Sequence, residues 1–244
     1  MKYNFLLLQV RNDNDPAKYE EYEAFIHKIE NTNFDLNFSL TQYDVLNRPL
    51  TDELFESYDI IFVGGSGEYS VLDDHPKIKS FIEFLGKCVE RGHPTFASCF
   101  GFQAIVLALG GEVIKDPDQA EVGTYELSLT DDAINHPLFV DFPRTFLAQL
   151  GHQDRATFLP SSLKNLASSQ RCPYQAFFIE DKKIFATQFH PELTYKDNMK
   201  RFARYMPIYG KLFGEEEAIK RMNSHKDSPE SNTLIPKFIE YILR

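Results

Sequence analysis

Thr95-Phe96-Ala97-Ser98-Cys99-Phe100-Gly101-Phe102-Gln103 reads as a short apolar strand, a sharp turn and the opening of a helix. The strand covers 95–98, and the helix covers 101–109 and closes at Gly110-Gly111. A nucleophile on such a turn projects above a sheet, and its neighbours must be small because backbone passes close by. Ala97 and Gly101 hold those positions around Cys99. The helix start behind Cys99 offers free N–H groups and a partial positive charge, which favour the reactive thiolate. The N–H of Phe100, next after the cysteine, is placed to donate to a developing oxyanion.

Working outward, the flanking segments alternate between strand and helix. An apolar run over 3–10 gives way to the breakers Asn12 to Pro16. A helix is expected over 17–30, with Tyr22, Phe25, Ile26 and Ile29 at helical spacing. Strands are expected over 36–45 and 59–63, and a helix over 76–91 with Ile78, Phe81, Ile82 and Leu85 on one face. Such alternation argues for a parallel sheet covered on both faces. Further strands, some antiparallel, are expected over 121–130, 146–151, 175–180 and 183–189, joined by turns such as Glu180-Asp181-Lys182. From about 196 the pattern is helical. Met199, Phe202, Ala203 and Met206 mark one helix, and Leu234, Ile235, Phe238, Ile239 and Ile242 mark another. The expected organisation is an α/β domain over 1–195 with a helical extension over 196–244 packed on it. A Ser/Pro-containing link at 228–232 is a candidate mobile segment.

Two further motifs carry chemistry. Gly64-Gly65-Ser66-Gly67 ends the strand at 59–63, and glycines there let a backbone N–H approach a substrate. Gly65 is the candidate second oxyanion donor. The same motif also fits a plain strand-ending turn, whereas a phosphate cradle lacks the Gly-Lys-Ser/Thr that should follow. Gln188-Phe189-His190-Pro191-Glu192 ends a later strand. His190 can take a thiol proton and return it to a leaving amine. If the chain stays extended through Pro191, Glu192 falls on the imidazole's side and can orient it. His152 and Asp154 either line the site or hold a loop.

Composition sets the outer limits. The 244 residues carry a formal net charge of -10, which argues against a non-specific nucleic-acid binder. The three cysteines, Cys88, Cys99 and Cys172, fit neither a disulfide framework nor a zinc pattern, and free thiols suit a reducing cytosol. Phe5-Leu6-Leu7-Leu8 is too short for a signal sequence or a membrane span, so a cytoplasmic protein without membrane association is expected. Cys88 reads as a buried small apolar residue and Cys172, before Pro173, as exposed and without an adjacent base. His27, His75, His93, His136 and His225 fall in surface-like settings and receive no role. No metal or cofactor is expected.

The chain resembles the class I glutamine amidotransferases, and in particular the glutaminase domain of GMP synthase in a free-standing form. The family's elbow reads Gly-x-Cys-x-Gly-x-Gln and its later motif His-Pro-Glu. Cys99, Gly101, Gln103, His190, Pro191 and Glu192 match, and Ala97 departs from the usual Gly. Gly64-Gly65 matches the family's oxyanion strand, and His152-Gln153-Asp154 with Leu159-Pro160 fits a further family pattern. The similarity spans roughly 3 to 195.

The resemblance implies a flavodoxin-like α/β fold with a mostly parallel sheet. It implies that Cys99 attacks a glutamyl γ-carbonyl to give a thioester, that Gly65 and Phe100 hold the oxyanion, and that His190 protonates departing ammonia. Gln103 would hold the amino-acid end of the substrate, and Tyr125 and His152 are further substrate-binding candidates. The implied partners are glutamine or a γ-glutamyl small molecule, and a synthase that receives ammonia. Two other readings stay open: a stand-alone hydrolase of γ-glutamyl peptides or conjugates, and a non-catalytic regulatory subunit.

Overall fold

The computed structural model describes residues 2–179 and 181–243, so Glu180, at the end of one expected strand and the start of one expected turn, lies outside the described residues. In chain order the elements are β1 (Tyr3–Gln9), α1 (Ala17–Glu30), β2 (Phe38–Asp44), α2 (Glu53–Ser57), β3 (Ile60–Val63), α3 (Pro76–Arg91), β4 (Thr95–Ser98) and α4 (Phe100–Ala108). There follow β5 (Glu112–Lys115), β6 (Glu121–Leu129), β7 (Thr145–His152), β8 (Asp154–Phe158), β9 (Lys164–Ser168), β10 (Ala176–Ile179) and β11 (Ile184–Thr187). The helices α5 (Tyr195–Phe213), α6 (Glu215–Asn223) and α7 (Leu234–Leu243) complete the described chain.

Nine strands form one sheet in the order β2-β1-β3-β4-β11-β10-β9-β6-β7, and β5 pairs with β8 apart from it. From β2 to β11 neighbours run parallel, the doubly wound arrangement that places sites at the carboxyl ends of the strands. From β11 to β7 they run antiparallel. β11 returns from far along the chain to insert beside β4, in register Ala186↔Ala97 and Thr187↔Ser98. That pairing sets the end of β11, and the His-Pro-Glu motif after it, beside Cys99.

The strand pleat sorts apolar side chains onto two cores. Leu6 and Leu8 of β1 and Ile61 and Val63 of β3 face α3 and α4. Phe5, Leu7, Ile60 and Phe62 face α1 and α7. In α7, Leu234, Ile235, Phe238 and Ile239 are fully buried, and the Phe238 ring meets Phe96 at 5.4 Å. Local chemistry fixes the helix ends. His75 caps α3 by accepting from the Lys77 N–H at 3.2 Å, with Pro76 in the first turn and a left-handed Gly92 closing the end. Thr194 and Asp197 form a reciprocal capping box that starts α5.

Several sequence expectations change here. The helix marked by Met199, Phe202, Ala203 and Met206 is α5, and a further helix that no marker pointed to, α6, follows it, parted at Gly214 with φ 85°. The candidate mobile link is held by burial: Ser228 and Ser231 are buried, and Ser228 Oγ accepts from Gln149 Nε2 at 3.0 Å. Cys172 is buried rather than exposed, its thiol directed at the Tyr174 carbonyl, and burial pushes its pKa up to about 12. Among the histidines read as surface-like, only His27 is well exposed. His136 stacks edge-on against Phe178 at 4.5 Å, and burial pushes its pKa down to about 4. Among the described residues no helix is long and apolar enough to cross a membrane.

Candidate active site

Cys99 sits between β4 and α4 with φ 50° and ψ -97°, the only described non-glycine residue with positive φ. A side chain held there stores roughly 1–3 kcal/mol of backbone strain, so its surroundings must fix it. They do so at two points: the Cys99 N–H donates to the Thr187 carbonyl of β11 at 2.7 Å, and its carbonyl accepts from the Gln103 N–H at 3.1 Å. The following helix turns at Gly101, where a β-carbon would lie 2.6 Å from Val63 Cγ1. The elbow therefore depends on glycine for space.

His190 is buried beside the elbow, its N–H donating to the Gln149 carbonyl at 2.8 Å. Its Nδ1 lies 2.6 Å from Glu192 Oε1, and Glu192 is fully buried. Burial alone would push the imidazole down. The Glu192 carboxylate and, across the ring, Cys99 outweigh it and hold the His190 pKa at about 9. Glu192 is affected in reverse: burial pushes it up, and His190, with help from Arg201, holds it low. The arrangement thus favours imidazolium beside carboxylate, a charge pair that orients the ring and can store or deliver a proton. Gly65 packs on the other side of this ring, where a β-carbon would lie 2.8 Å from His190 Cε1.

Phe100, the residue after Cys99, opens α4 and lines the cleft. The Gly65 N–H does not point at the cysteine. It donates to Glu21 Oε1 at 3.0 Å, and Glu21 is itself buried against Arg11 at 2.9 Å. Gln103 donates from Nε2 to the Asp154 carbonyl at 2.8 Å and to Gln188 Oε1 at 3.2 Å. Gln188 in turn directs its Nε2 at Cys99 Sγ, 3.7 Å away. His152 both lines the cleft and holds the β7–β8 turn, with Nδ1 3.0 Å from the Asp154 carbonyl and Nε2 3.1 Å from Glu121 Oε2. Tyr125 is not on the cleft wall, and its hydroxyl accepts from Arg221 Nη1 of α6 at 2.9 Å.

The cleft has a volume of about 280 Å³ and joins these groups to a wall contributed by α5. Asn198, Arg201, Phe202, Tyr205, Ile208 and Tyr209 line it at helical spacing. Tyr205 covers Gly67 so closely that a β-carbon there has no room. Sequence reasoning assigned nothing to this face, although its periodicity was present in the chain. It equally missed Gln149, whose Oε1 accepts from Asn198 at 3.0 Å and whose Nε2 donates to the Lys226 carbonyl at 2.9 Å. No cluster of three or more His, Cys, Asp or Glu side chains suited to a metal occurs among the described residues.

Residues 19–205 match the sequence profile described as glutamine amidotransferase class-I. The chain belongs to this family. The glutamine-hydrolyzing GMP synthase of Aliivibrio fischeri is 29% identical over 149 residues, which are 61% of this chain and 27% of that protein. The same enzyme from Escherichia coli is 27% identical over 173 residues, 68% of this chain and 31% of the other. The chain thus spans less than a third of the length of these curated relatives. A glutamine amidotransferase from Thermotoga maritima superposes with a TM-score of 0.69 at 20% identity, covering 99% of each chain. One from Methylobacillus flagellatus superposes at 0.68 with 17% identity, covering 100% of this chain and 97% of the other. At such identities the likeness establishes the shared fold.

Proposed function

We propose that the protein hydrolyses a glutamyl γ-amide through a cysteine thioester. The observation that carries this reading is His190, held 2.6 Å from buried Glu192 on one side and beside the strained Cys99 elbow on the other. Cys99 Sγ attacks the γ-carbonyl, and the C–N bond breaks as His190 gives its proton to the departing amine. Water then adds to the thioester, His190 takes a proton from it, and glutamate leaves with Cys99 restored. Glu192 orients the ring and stabilises its imidazolium form throughout.

The N–H of Phe100, at the start of α4, supplies one oxyanion donor. Gly65 supplies the second in this reading, and its N–H must leave Glu21 Oε1 to do so. Gln103 and His152 border the substrate as cleft-lining residues, whereas the position of Tyr125 favours a supporting contact with α6. The kinship with GMP synthases supports glutamine as substrate and a synthase partner as the receiver of ammonia. In this reading residues 1–195 carry the chemistry and 196–244 form a helical addition that closes one side of the cleft.

The α5 wall favours a second substrate class, γ-glutamyl conjugates, because residues from Asn198 to Tyr209 of that helix line the cleft in addition to the groups around Cys99. Ammonia and glutamate release from glutamine, measured beside amine release from a γ-glutamyl dipeptide, tests both. Parent activity on either substrate and none for Cys99→Ala is expected. Absence of turnover on both in the parent would favour the regulatory-subunit reading instead.

A further inference from the structure

Arg201 is the single charged residue on the cleft-facing stripe of α5. Its orientation follows from its neighbours. Lys200 and Arg204 both reach Glu20 of α1 at 2.7 Å, which pins that side of the helix to α1. Arg201 and Tyr205 lie round the helix from them and face the cavity. Arg201 is half-buried, and among the described residues it forms neither an ion pair nor a hydrogen bond. Its charge is nonetheless felt inside the site, where it lowers the pKa of Glu192 and works against the burial that raises Tyr209.

The acids around the cleft are engaged elsewhere. Asp73 accepts from the Ser70 N–H, Asp154 accepts from the Ser70 hydroxyl, and Glu68 accepts from the Asn12 N–H. The other cations differ as well. Arg11 is saturated, with Nη1 on Asp15 and Nη2 and Nε on Glu21, and Lys115 is exposed on β5. A half-buried guanidinium that no carboxylate among the described residues contacts, in a cleft proposed to take a carboxylate-bearing substrate, lacks one partner. Its planar fork matches a carboxylate.

We propose that Arg201 binds a carboxylate of the substrate, making α5 the part of the chain that recognises its anionic end. This rests on the γ-glutamyl reading of Cys99. The carboxylate is either the α-carboxylate of the glutamyl group or one carried by the leaving amine, and two ligands separate these cases.

The test is calorimetric binding to the full chain carrying Cys99→Ala, with L-glutamine, γ-glutamylglycine and γ-aminobutyramide, which is glutamine without its α-carboxylate. Adding Arg201→Gln should weaken L-glutamine by roughly ten- to a hundredfold, the loss of one charge-assisted pair, and leave γ-aminobutyramide unchanged. Weakening of γ-glutamylglycine alone assigns Arg201 to the leaving-group carboxylate. Arg201→Lys keeps the charge without the fork and should restore part of the affinity, which a purely structural defect would not allow. Equal binding of all three ligands with and without Arg201, or equal weakening of all three, overturns the proposal and leaves the reading of Cys99 intact. If the Cys99→Ala protein binds none of them, the γ-glutamyl reading falls and this inference with it.

Discussion

Replacing Glu192 with Gln removes the charge behind His190 while keeping the side chain's shape. In the parent, burial presses the imidazole down, and the carboxylate 2.6 Å away, with Cys99, reverses that to about 9. The rise from 6.5 to about 9 favours the folded imidazolium by roughly 3 kcal/mol, at about 1.4 kcal/mol per unit. With Gln in place burial dominates, and His190 should titrate at or below 6.5.

The sign of the stability effect follows from linkage. A pKa raised by folding stabilises the native state fully below the unfolded value of about 6.5, and that contribution disappears as pH rises through about 9. The stability difference between parent and Glu192→Gln should therefore be largest just below neutrality. It should close by about 3 kcal/mol once the pH has passed about 9. The depressed Glu192 pKa closes the same difference on the acid side, as pH falls below the ordinary carboxylate range. Urea unfolding across that range reads the difference, and imidazole NMR, assigned with His190→Gln, reads the titration directly. Glutamine hydrolysis should fall by about two to four orders of magnitude, since an amide can also trap the wrong tautomer. An imidazole that still titrates near 9 in the variant, or a stability difference constant up to that pH, would refute the account.

Iodoacetamide should label Cys99 well ahead of Cys88 and Cys172, because both of the latter are fully buried and burial pushes each to about 12; peptide mapping of labelled protein decides it. Gly101→Ala would force a β-carbon to 2.6 Å from Val63 Cγ1, and should cost about 1–3 kcal/mol in urea unfolding together with activity, since the elbow must shift. Glu21→Ala leaves buried Arg11 with Asp15 alone, and should cost about 3–5 kcal/mol in the same assay. Phe238→Ala opens the core between α7 and Phe96, and should cost about 3–5 kcal/mol, read as a lowered melting temperature.

What could be read from the sequence was what is encoded locally. α1 and α3 bury one helical face each, and their spacing shows it. The elbow at Cys99 and the His190–Glu192 pair are contiguous motifs, so their residues could be named before their geometry was known. The elements that escaped have weak local signals. β8, Asp-Arg-Ala-Thr-Phe, buries only Ala156, and β5 is four residues whose one fully buried side chain is Val113. α6 buries only Ala218, although Glu215-Glu216-Glu217 at its start and Lys220-Arg221 at its end are a usable dipole signature. Cys172 was misread because a loop residue before proline gives no local sign of burial; its thiol turns to the Tyr174 carbonyl, and Glu121, Arg155 and Asp116 are near enough to act on it. The engagement of Gly65 by Glu21 joins residues 44 apart, and the α5 wall stands opposite an elbow about a hundred residues earlier. Only the folded topology brings such pairs together.

The insertion of β11 between β4 and β10 has a consequence for how the protein is made. Synthesis proceeds from the N-terminus, so β2, β1, β3 and β4 are available as a half-sheet while the strand that completes it is still to come. Until Ile184–Thr187 arrive, one side of β4 is an open edge of unpaired N–H and C=O groups, next to Cys99. On the sheet face that α1 covers only in part, the Phe96 side chain waits for Phe238 of α7. A nascent chain halted before these segments would offer a ready template for pairing with another copy of itself. For this protein, premature termination is an aggregation hazard.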